Sequence, residues 1–533
     1  MTGGLQVARV PDRFNAATYF VDRNLEEGWG GTTALVTGEE EISYAHVAAR
    51  VNQTGNALRS LGIEIENRVL LILLDSPEFA FSFFGAMKIG AVPVPVNTLQ
   101  KAADYAHLLH DTRAKVLIVS GELLPTVMPA LAAAAYLRHL IIVGAVAVSQ
   151  DDLPEAAPGH IQIHDFGTLI EWQDDRMEPA NTSKDDVAFW LYTSGTTGSP
   201  SAAVHLHHDM VVCSELYAGQ VLNITASDRT FSVAKLFFAY GLGNALYFPF
   251  AVGAATILHP GRPEPKVIFD VAQRYQPTIF YGVPTSYAAM LHEAEQGASV
   301  DFSSVRIATS AGEPLPASLY ERWLDRFGIE ILDGIGTTEV LHMFMSNRTG
   351  DVRPGSSGKP LPGYRVKLLD DKDQPTPTGE IGNLLVAGDS ICSGYWNRHD
   401  VTLAAIQGEW IRTRDKYHVD EDGYYWYDGR SNDMLKVGGI WVSPAEVEQA
   451  VIGHPDVLEC AVVGVTDQNG LVRPKAFVVA KSPDRAGDEF AAEIQEYVKQ
   501  RLAPYKYPRE IEFIDELPKT ATGKIQRFKL RER

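Results

Sequence analysis

Two short stretches carry residue types that chemistry can use. Residues 193–204 read TSGTTGSPSAAV, and residues 333–339 read DGIGTTE. Both follow apolar, strand-like runs, and the first holds too much glycine, serine, threonine and proline to be ordinary helix. Backbone N–H groups and hydroxyls gathered at the end of a strand can converge on an anion. Taken alone, the first stretch fits a surface Ser/Gly linker as readily as a phosphate loop. The second stretch adds a carboxylate, Glu339, beside a hydroxyl donor, Thr338. A carboxylate repels phosphate unless a divalent cation lies between them, and Mg2+ is often held by one or two carboxylates plus phosphate oxygens. A donor-rich loop together with such a carboxylate points to a nucleoside triphosphate.

Other matches dissolve on inspection. TGSPSAAV lacks the GK[ST] of a P-loop, and ATGKIQR has the lysine without the upstream glycine. GLGNAL lacks the third glycine of a dinucleotide fingerprint, and HEAEQ at 292–296 has Gln where a zinc-protease helix carries its second His.

The elements that must position the two stretches follow from hydrophobic periodicity. VAFWLY (187–192), ATIL (255–258), TIFYG (278–282), VRIATS (305–310) and IEILDG (329–334) read as buried strands. LHHDMVVCSELYAG, PKVIFDVAQRY, PTSYAAMLHEAEQ and PASLYERWLDRFG have i, i+3, i+4 apolar spacing and read as helices. That alternation predicts α/β layers with a parallel sheet. The first loop is expected to lie between a strand and a helix, with both loops facing the crevice at the strand C-ends of one sheet. From about 350, YRVKLLD, EIGNLLVAG and GYYWYDGR indicate a smaller β-rich subdomain. After Arg430, LKVGGIWVSP, AEVEQAVIG, LECAVVGV, PKAFVVA, EFAAEIQEYVKQRLA and REIEFID describe a self-contained α+β unit. The expected organisation is therefore a large N-terminal domain, 1–430, of layered α/β subdomains plus the β-rich one. A small mobile α+β C-terminal domain, 431–533, follows, with the polar Ser431-Asn432-Asp433 as hinge.

Composition sets outer limits. A chain of 533 residues exceeds a single core. A formal charge of −20 disfavours a nucleic-acid partner. Cys213, Cys392 and Cys460 form no metal spacing and read as buried thiols of a reducing cytoplasm. No apolar run reaches the ~18 residues of a membrane span, so a soluble cytoplasmic protein is expected.

TSGTTGSP, GIGTTE, the Asp of WIRTRDKY, GRSNDMLKVGG and PKTATGKIQR occur in the order typical of the adenylate-forming superfamily of acyl-CoA synthetases, luciferases and peptide-synthetase adenylation domains. The chain resembles the benzoate-CoA ligase branch in KLFFAYGLGNALYFP, FYGVPTSYAAML, SAGEPLP, LDGIGTTEVLHMFMSN and LAPYKYPREIEFIDELPKTATGKIQRFKLR. The resemblance implies ATP, Mg2+ and coenzyme A as reactants and cofactors, and a small aromatic carboxylic acid as substrate. A carboxylate would attack the α-phosphate of ATP to give an acyl-adenylate, which CoA thiolate then consumes.

It also implies roles. Lys524 would bridge carboxylate and α-phosphate, with Thr338 as donor and Glu339 on the metal. ATP and AMP would be held by Thr193, Ser194, Gly195, Thr196, Thr197 and Gly198, and by the adenine slot of Ala311, Gly312, Glu313, Asp333, Gly334 and Ile335. Gly336 and Thr337 join these, Asp415 would grip the ribose hydroxyls, and Arg430 would sit beside ribose and phosphate. The acyl pocket maps to Phe238, Ala239, Tyr240, Gly241, Gly282 and His342, and the CoA region to Lys436, Gly438 and Gly439. Small residues beside aromatics suggest a flat slot for a benzene ring, whose amino or hydroxyl substituent could bond to His342 or Tyr240. His342 could equally be mere packing.

Two positions depart from the family pattern. The loop continues Pro200-Ser201-Ala202 where the family carries PKG, so weaker guidance of pyrophosphate is expected rather than a dead enzyme. The hinge is Asn432 where Asp is common. An aryl adenylation enzyme loading a carrier protein, a non-catalytic acyl- or nucleotide-binding relative, and a homodimer all remain open.

Overall fold

The computed structural model describes residues 10–146, 148–193, 200–298, 300–430, 433–437, 440–466, 472–502, 506–519 and 525–531. The chain divides into two compact units. One comprises Met1–Tyr281, Gly336–Met343 and Gly388–Ala404; the other comprises Gly282–Ile335, Phe344–Ala387 and Ala405–Arg533.

In the first unit, Thr33–Thr37, Ala255–Ile257, Arg229–Ser232 and Ile279–Gly282 run parallel. Glu40–Ser43 closes that edge antiparallel. A second sheet, all parallel, runs in the order Val92–Pro95, Arg68–Ile72, Val116–Ser120, His139–Val143 and Gln162–Asp165. Val92–Pro95, Arg68–Ile72 and Val116–Ser120 are almost continuously buried, as parallel strands covered on both faces must be, whereas the edge strand Gln162–Asp165 is partly exposed. The helix Pro77–Lys88 is buried along its whole length.

The strand Val187–Thr193 departs from expectation. It lies in a separate three-stranded antiparallel sheet with Ser201–Leu206 and Gly394–Tyr395. The donor-rich loop is therefore the connection of a hairpin whose last paired residues are Thr193 and Ser201, and the helix begins only at Asp209. Parallel pairing needs a crossover of a dozen or more residues, whereas so short a connection returns the chain antiparallel. It follows that the two chemical stretches do not end strands of one sheet.

In the second unit, Ile307–Ser310 pairs parallel with Ile331–Gly336. The β-rich region is an antiparallel sheet of Arg365–Leu369, Gly382–Ala387, Trp410–Val419 and Ile406–Gln407, with Tyr425–Arg430 also paired to Trp410–Val419. The C-terminal part pairs Val457–Thr466 antiparallel with Val472–Ala480, which runs parallel to Glu510–Phe513. Helices Pro444–Ile452 and Asp488–Lys499 supply Val447, Val451, Phe490, Ile494 and Val498 to its core. A last helix, Arg527–Arg531, was not legible in the sequence. All three cysteines are buried. Among the described residues, no helix is long and apolar enough to cross a membrane.

Candidate active site

In the first unit the chemistry gathers on one tight turn. After Gly336, where a Cβ would stand 2.5 Å from the His342 carbonyl oxygen, Thr337 caps a short helix, Thr338–Val340, through its hydroxyl. Leu341 then adopts φ 70°, rare for a buried, non-glycine residue, and turns the chain between Glu339 and His342. The surroundings hold this conformation. The carbonyl of Thr338 accepts from His205 Nε2 at 2.8 Å, and His205 Nδ1 lies 2.8 Å from Asp209 Oδ2, both side chains fully buried. The carbonyl of Val340 accepts from Ser390 Oγ at 2.8 Å, and that of Glu339 from Cys392 N at 2.8 Å.

Glu339 is half-buried, and its Oε1 accepts from Tyr395 Oη at 2.7 Å. Among the described residues no Lys or Arg pairs with it. A half-buried carboxylate without a cation, beside a Thr338 hydroxyl not engaged by the described residues, fits a divalent ion shared with phosphate.

At the other end of the turn, His342 is caged by the rings of Phe248, Tyr217 and Tyr240, at centroid distances of 4.5, 5.2 and 5.5 Å. Its Nε2 meets Asn244 Oδ1 at 3.1 Å and the Tyr240 carbonyl at 3.3 Å. Both partners accept, so Nε2 carries the proton and Nδ1 is an acceptor. That Nδ1 is buried and has no partner among the described residues. Burial depresses the imidazole to about 3, so it is neutral. A Cβ on Gly243 would come within 2.6 Å of the His342 ring, so only glycine admits this cage. The segment bearing Phe238, Ala239, Tyr240 and Gly241 is tethered upstream, where Leu236 N donates to Asp75 Oδ1 at 3.0 Å. Lys235 Nζ lies 3.8 Å from Asp75 Oδ2. Burial raises Asp75 to about 6 against the pull of Lys235.

The second unit carries the residues mapped to adenine and ribose, Ala311 to Glu313, Asp333 to Ile335, Asp415 and Arg430. Asp333 is buried, which pushes its carboxyl up to about 8. Leu315 N approaches Oδ2 at 3.4 Å, and Oδ1 has no partner among the described residues. Its carbonyl accepts from Asn347 N and Nδ2 at 2.9 and 3.0 Å, which fixes the strand leading to Gly334 and Ile335. Ala311 is buried, and Gly312, at φ 92°, opens the turn to Glu313. Asp415 and Arg430 face each other as a cross-strand pair, with Arg430 Nε 3.4 Å from Asp415 Oδ1. Gly282 sits where a Cβ would meet the Tyr287 ring at 2.5 Å.

Ser194, Gly195, Thr196, Thr197, Gly198, Asn432, Gly438, Gly439 and Lys524 lie outside the described residues, and Lys436 is described by its strand Leu435–Val437 alone. The flanks of Lys524 are nevertheless well held. Lys519 and Ile525 form an antiparallel bridge. Lys519 Nζ bonds Glu459 at 2.6 and 2.8 Å. Arg527 makes a buried pair with Glu448, at 2.8 Å to Oε2 and 2.9 Å to Oε1. Ile525 N donates to Glu313 Oε1 at 2.7 Å, so the residue after Lys524 meets the segment mapped to the adenine slot.

Sequence reasoning missed His205, Asp209, Tyr395, Asn244, Asp75 and Glu448. Only the His205/Asp209 pair left a trace, as polar residues at i, i+4 in the stretch HLHHD.

A profile of the AMP-binding enzyme family matches residues 22–396, and one of the AMP-binding enzyme C-terminal domain matches residues 446–524. The chain is 48% identical to a benzoate–CoA ligase of Thauera aromatica, over 98% of this chain and 97% of that one. It is 43% identical to a 4-hydroxybenzoate–CoA/benzoate–CoA ligase of Rhodopseudomonas palustris, over 97% and 94%. Its fold matches the crystal structure of an anthranilate CoA ligase in complex with anthranoyl-AMP with a TM-score of 0.93, at 44% identity, over 99% of this chain and 98% of that one.

Proposed function

The chain belongs to the AMP-binding enzyme family, and on that premise we propose that it is an ATP-dependent, AMP-forming ligase joining benzoate or a substituted benzoate to coenzyme A in the cytoplasm. The observation that carries this reading is the turn from Thr338 to His342. It holds a carboxylate with no Lys or Arg partner among the described residues at one end and a neutral imidazole in an aromatic cage at the other. An aromatic acid suits the aromatic surroundings of the imidazole end, and a triphosphate suits the carboxylate end.

The aryl carboxylate oxygen attacks the α-phosphorus, and the bond to pyrophosphate breaks. CoA thiolate then attacks the acyl carbon of this mixed anhydride, and AMP leaves with the electron pair of the acyl–oxygen bond. The first step brings anion to anion, so fixed positive charge and donors must offset the repulsion. Lys524 supplies a flexible point charge for that step, and the Thr338 hydroxyl donates to phosphate. A Mg2+ held by Glu339 would neutralise phosphate charge. Asp415 takes the ribose hydroxyls, with Arg430 beside it, while Ala311 to Glu313 and Asp333 to Ile335 flank adenine. Lys436, Gly438 and Gly439 serve CoA. The domain boundary falls at Arg430, with Asn432 as hinge; the separate family matches ending at 396 and beginning at 446 support a division there.

Loading of a carrier protein is not favoured, because the relatives above are CoA ligases. The test is a panel of benzoates with ATP and CoA, following thioester and AMP together. An enzyme that releases pyrophosphate with benzoates yet makes no CoA thioester from any of them would overturn the reading.

A further inference from the structure

Between Thr193 and Ala203 the donor-rich hairpin carries no lysine, arginine or histidine, yet the reaction proposed above asks it to manage a polyphosphate. N–H groups and hydroxyls orient such an anion but carry no net charge against it. The fold brings a cation to the hairpin's base from almost two hundred residues away.

The strand Gly394–Tyr395 pairs antiparallel with Ser201–Leu206, Gly394 opposite Val204 and Tyr395 opposite Ala203. Two further backbone bonds extend the seam, Ser393 N to the Val204 carbonyl and Trp396 N to the Ala202 carbonyl, each at 2.9 Å. Asn397 then takes a left-handed φ of 50°, which Asn tolerates better than most residues. The turn closes with Arg398 N donating to the Tyr395 carbonyl at 3.2 Å. Arg398 Nη1 thereby reaches the buried Ser201 hydroxyl at 3.4 Å, the first paired position after the loop. The same short segment presents Tyr395 Oη to Glu339 at 2.7 Å. One strand and its turn thus deliver a guanidinium to the hairpin base and a phenol to the carboxylate proposed for the metal.

Among the described residues Arg398 has one acidic neighbour, Asp400 Oδ1, 3.6 Å from Nε. That carboxylate is 78% exposed, so water and salt screen it, and the guanidinium keeps most of its charge for an incoming anion. Guanidinium also suits phosphate through its fork of donors.

We propose that Arg398 binds the β- and γ-phosphates of ATP, and hence pyrophosphate, supplying from the Gly394–Tyr395 strand the positive charge that the hairpin loop lacks. This rests on the ligase reading above for its substrate, and on the strands that bracket the loop for its geometry.

The experiment measures ATP, benzoate and CoA kinetics, together with calorimetric binding of inorganic pyrophosphate, in Arg398→Ala, Arg398→Lys and the double variant Arg398→Ala/Ser201→Lys. Losing one charge-assisted contact at a half-exposed site should weaken ATP and pyrophosphate by roughly tenfold. Benzoate and CoA KM should stay within about twofold, and the Lys variant should retain most of the affinity. The double variant should recover pyrophosphate binding, because a cation returns to the hairpin base on the opposite strand. Unchanged ATP KM and pyrophosphate affinity in Arg398→Ala would overturn the proposal. So would a loss spread equally over all three substrates, with a lowered Tm and no recovery in the double variant, since that pattern marks a structural arginine. If the unmodified enzyme makes no aryl thioester, the ligase reading falls, while pyrophosphate binding still decides the role of Arg398.

Discussion

His342 shows how one side chain can couple packing to specificity. Its Nε2 is satisfied by Asn244, while its Nδ1 is a buried acceptor with no partner among the described residues, a situation that costs about 1–3 kcal/mol. A ring amino or hydroxyl group that donates to it recovers part of that cost, whereas unsubstituted benzoate cannot. His342→Phe should therefore lower the ratio of kcat/KM for 2-aminobenzoate over benzoate by roughly tenfold, a change of about 1.4 kcal/mol in discrimination. A ratio that stays constant would assign His342 to packing alone. Because the folded value is about 3 against 6.5 unfolded, the ring stays neutral through the working range. It adds no limb to the rate profile above pH 5, and its contribution to stability is lost as pH falls from 6.5 towards 3. Asp333 has the opposite sign. Its folded value of about 8 lies above 3.8, so its stabilising protonation is complete at low pH and is lost as pH climbs towards 8. Asp333→Asn mimics the neutral acid. It should gain in thermal stability over the parent at pH 8.5 relative to pH 5, measured by paired melting curves. Equal differences at both values would contradict a proton held in the folded state.

At the scale of elements, the segment carrying Lys524 is defined by what pins its two ends. The antiparallel bridge of Lys519 with Ile525 ties its two flanks together, and the Arg527–Glu448 pair fixes its exit. Glu448 also accepts from Val462 N at 2.7 Å, which ties that exit to the edge strand Val457–Thr466. Arg527→Met strands a buried carboxylate and should destabilise the C-terminal domain by about 3–5 kcal/mol in denaturant melts. Combining it with Glu448→Leu should restore much of the loss, because an apolar pair then fills the site. If the double variant is no better than the single, the arginine acts through packing rather than charge. Lys524→Ala tests the element's cargo. Pyrophosphate release from ATP and benzoate should fall by orders of magnitude, while supplied benzoyl-adenylate is still converted to thioester. A variant that loses both half-reactions equally, with its fold intact, would remove the proposed role.

At the scale of the whole molecule, the proposal that a small domain carries Lys524 to one half-reaction and withdraws it for the next makes backbone rotation at the hinge a rate determinant. Asn432→Pro fixes φ near −65° and removes a donor. Adenylate should accumulate while thioester formation drops by at least about tenfold, read by burst kinetics with labelled ATP. Parallel loss or retention of both steps would end the alternation model.

The sequence by itself determined the family, the mixed α/β class, the β-rich region after 350 and the α+β pattern at the C-terminus. These rest on local periodicity and on short motifs whose residue types are dictated by phosphate and carboxylate chemistry. It also marked the turn from Gly336 to His342, where Gly, Thr and Glu are all local requirements. Only the tertiary structure decided that Val187–Thr193 pairs antiparallel and that the donor-rich loop is a hairpin. Strand direction depends on which partner a buried run meets, and VAFWLY reads the same in either sheet. It alone joined His205 to Thr338, Tyr395 to Glu339, Ile525 to Glu313 and Arg398 to Ser201, across separations of 133, 56, 212 and 197 residues. Such pairs carry no periodicity and no spacing, so the chain order holds no signal of them until folding places their strands side by side.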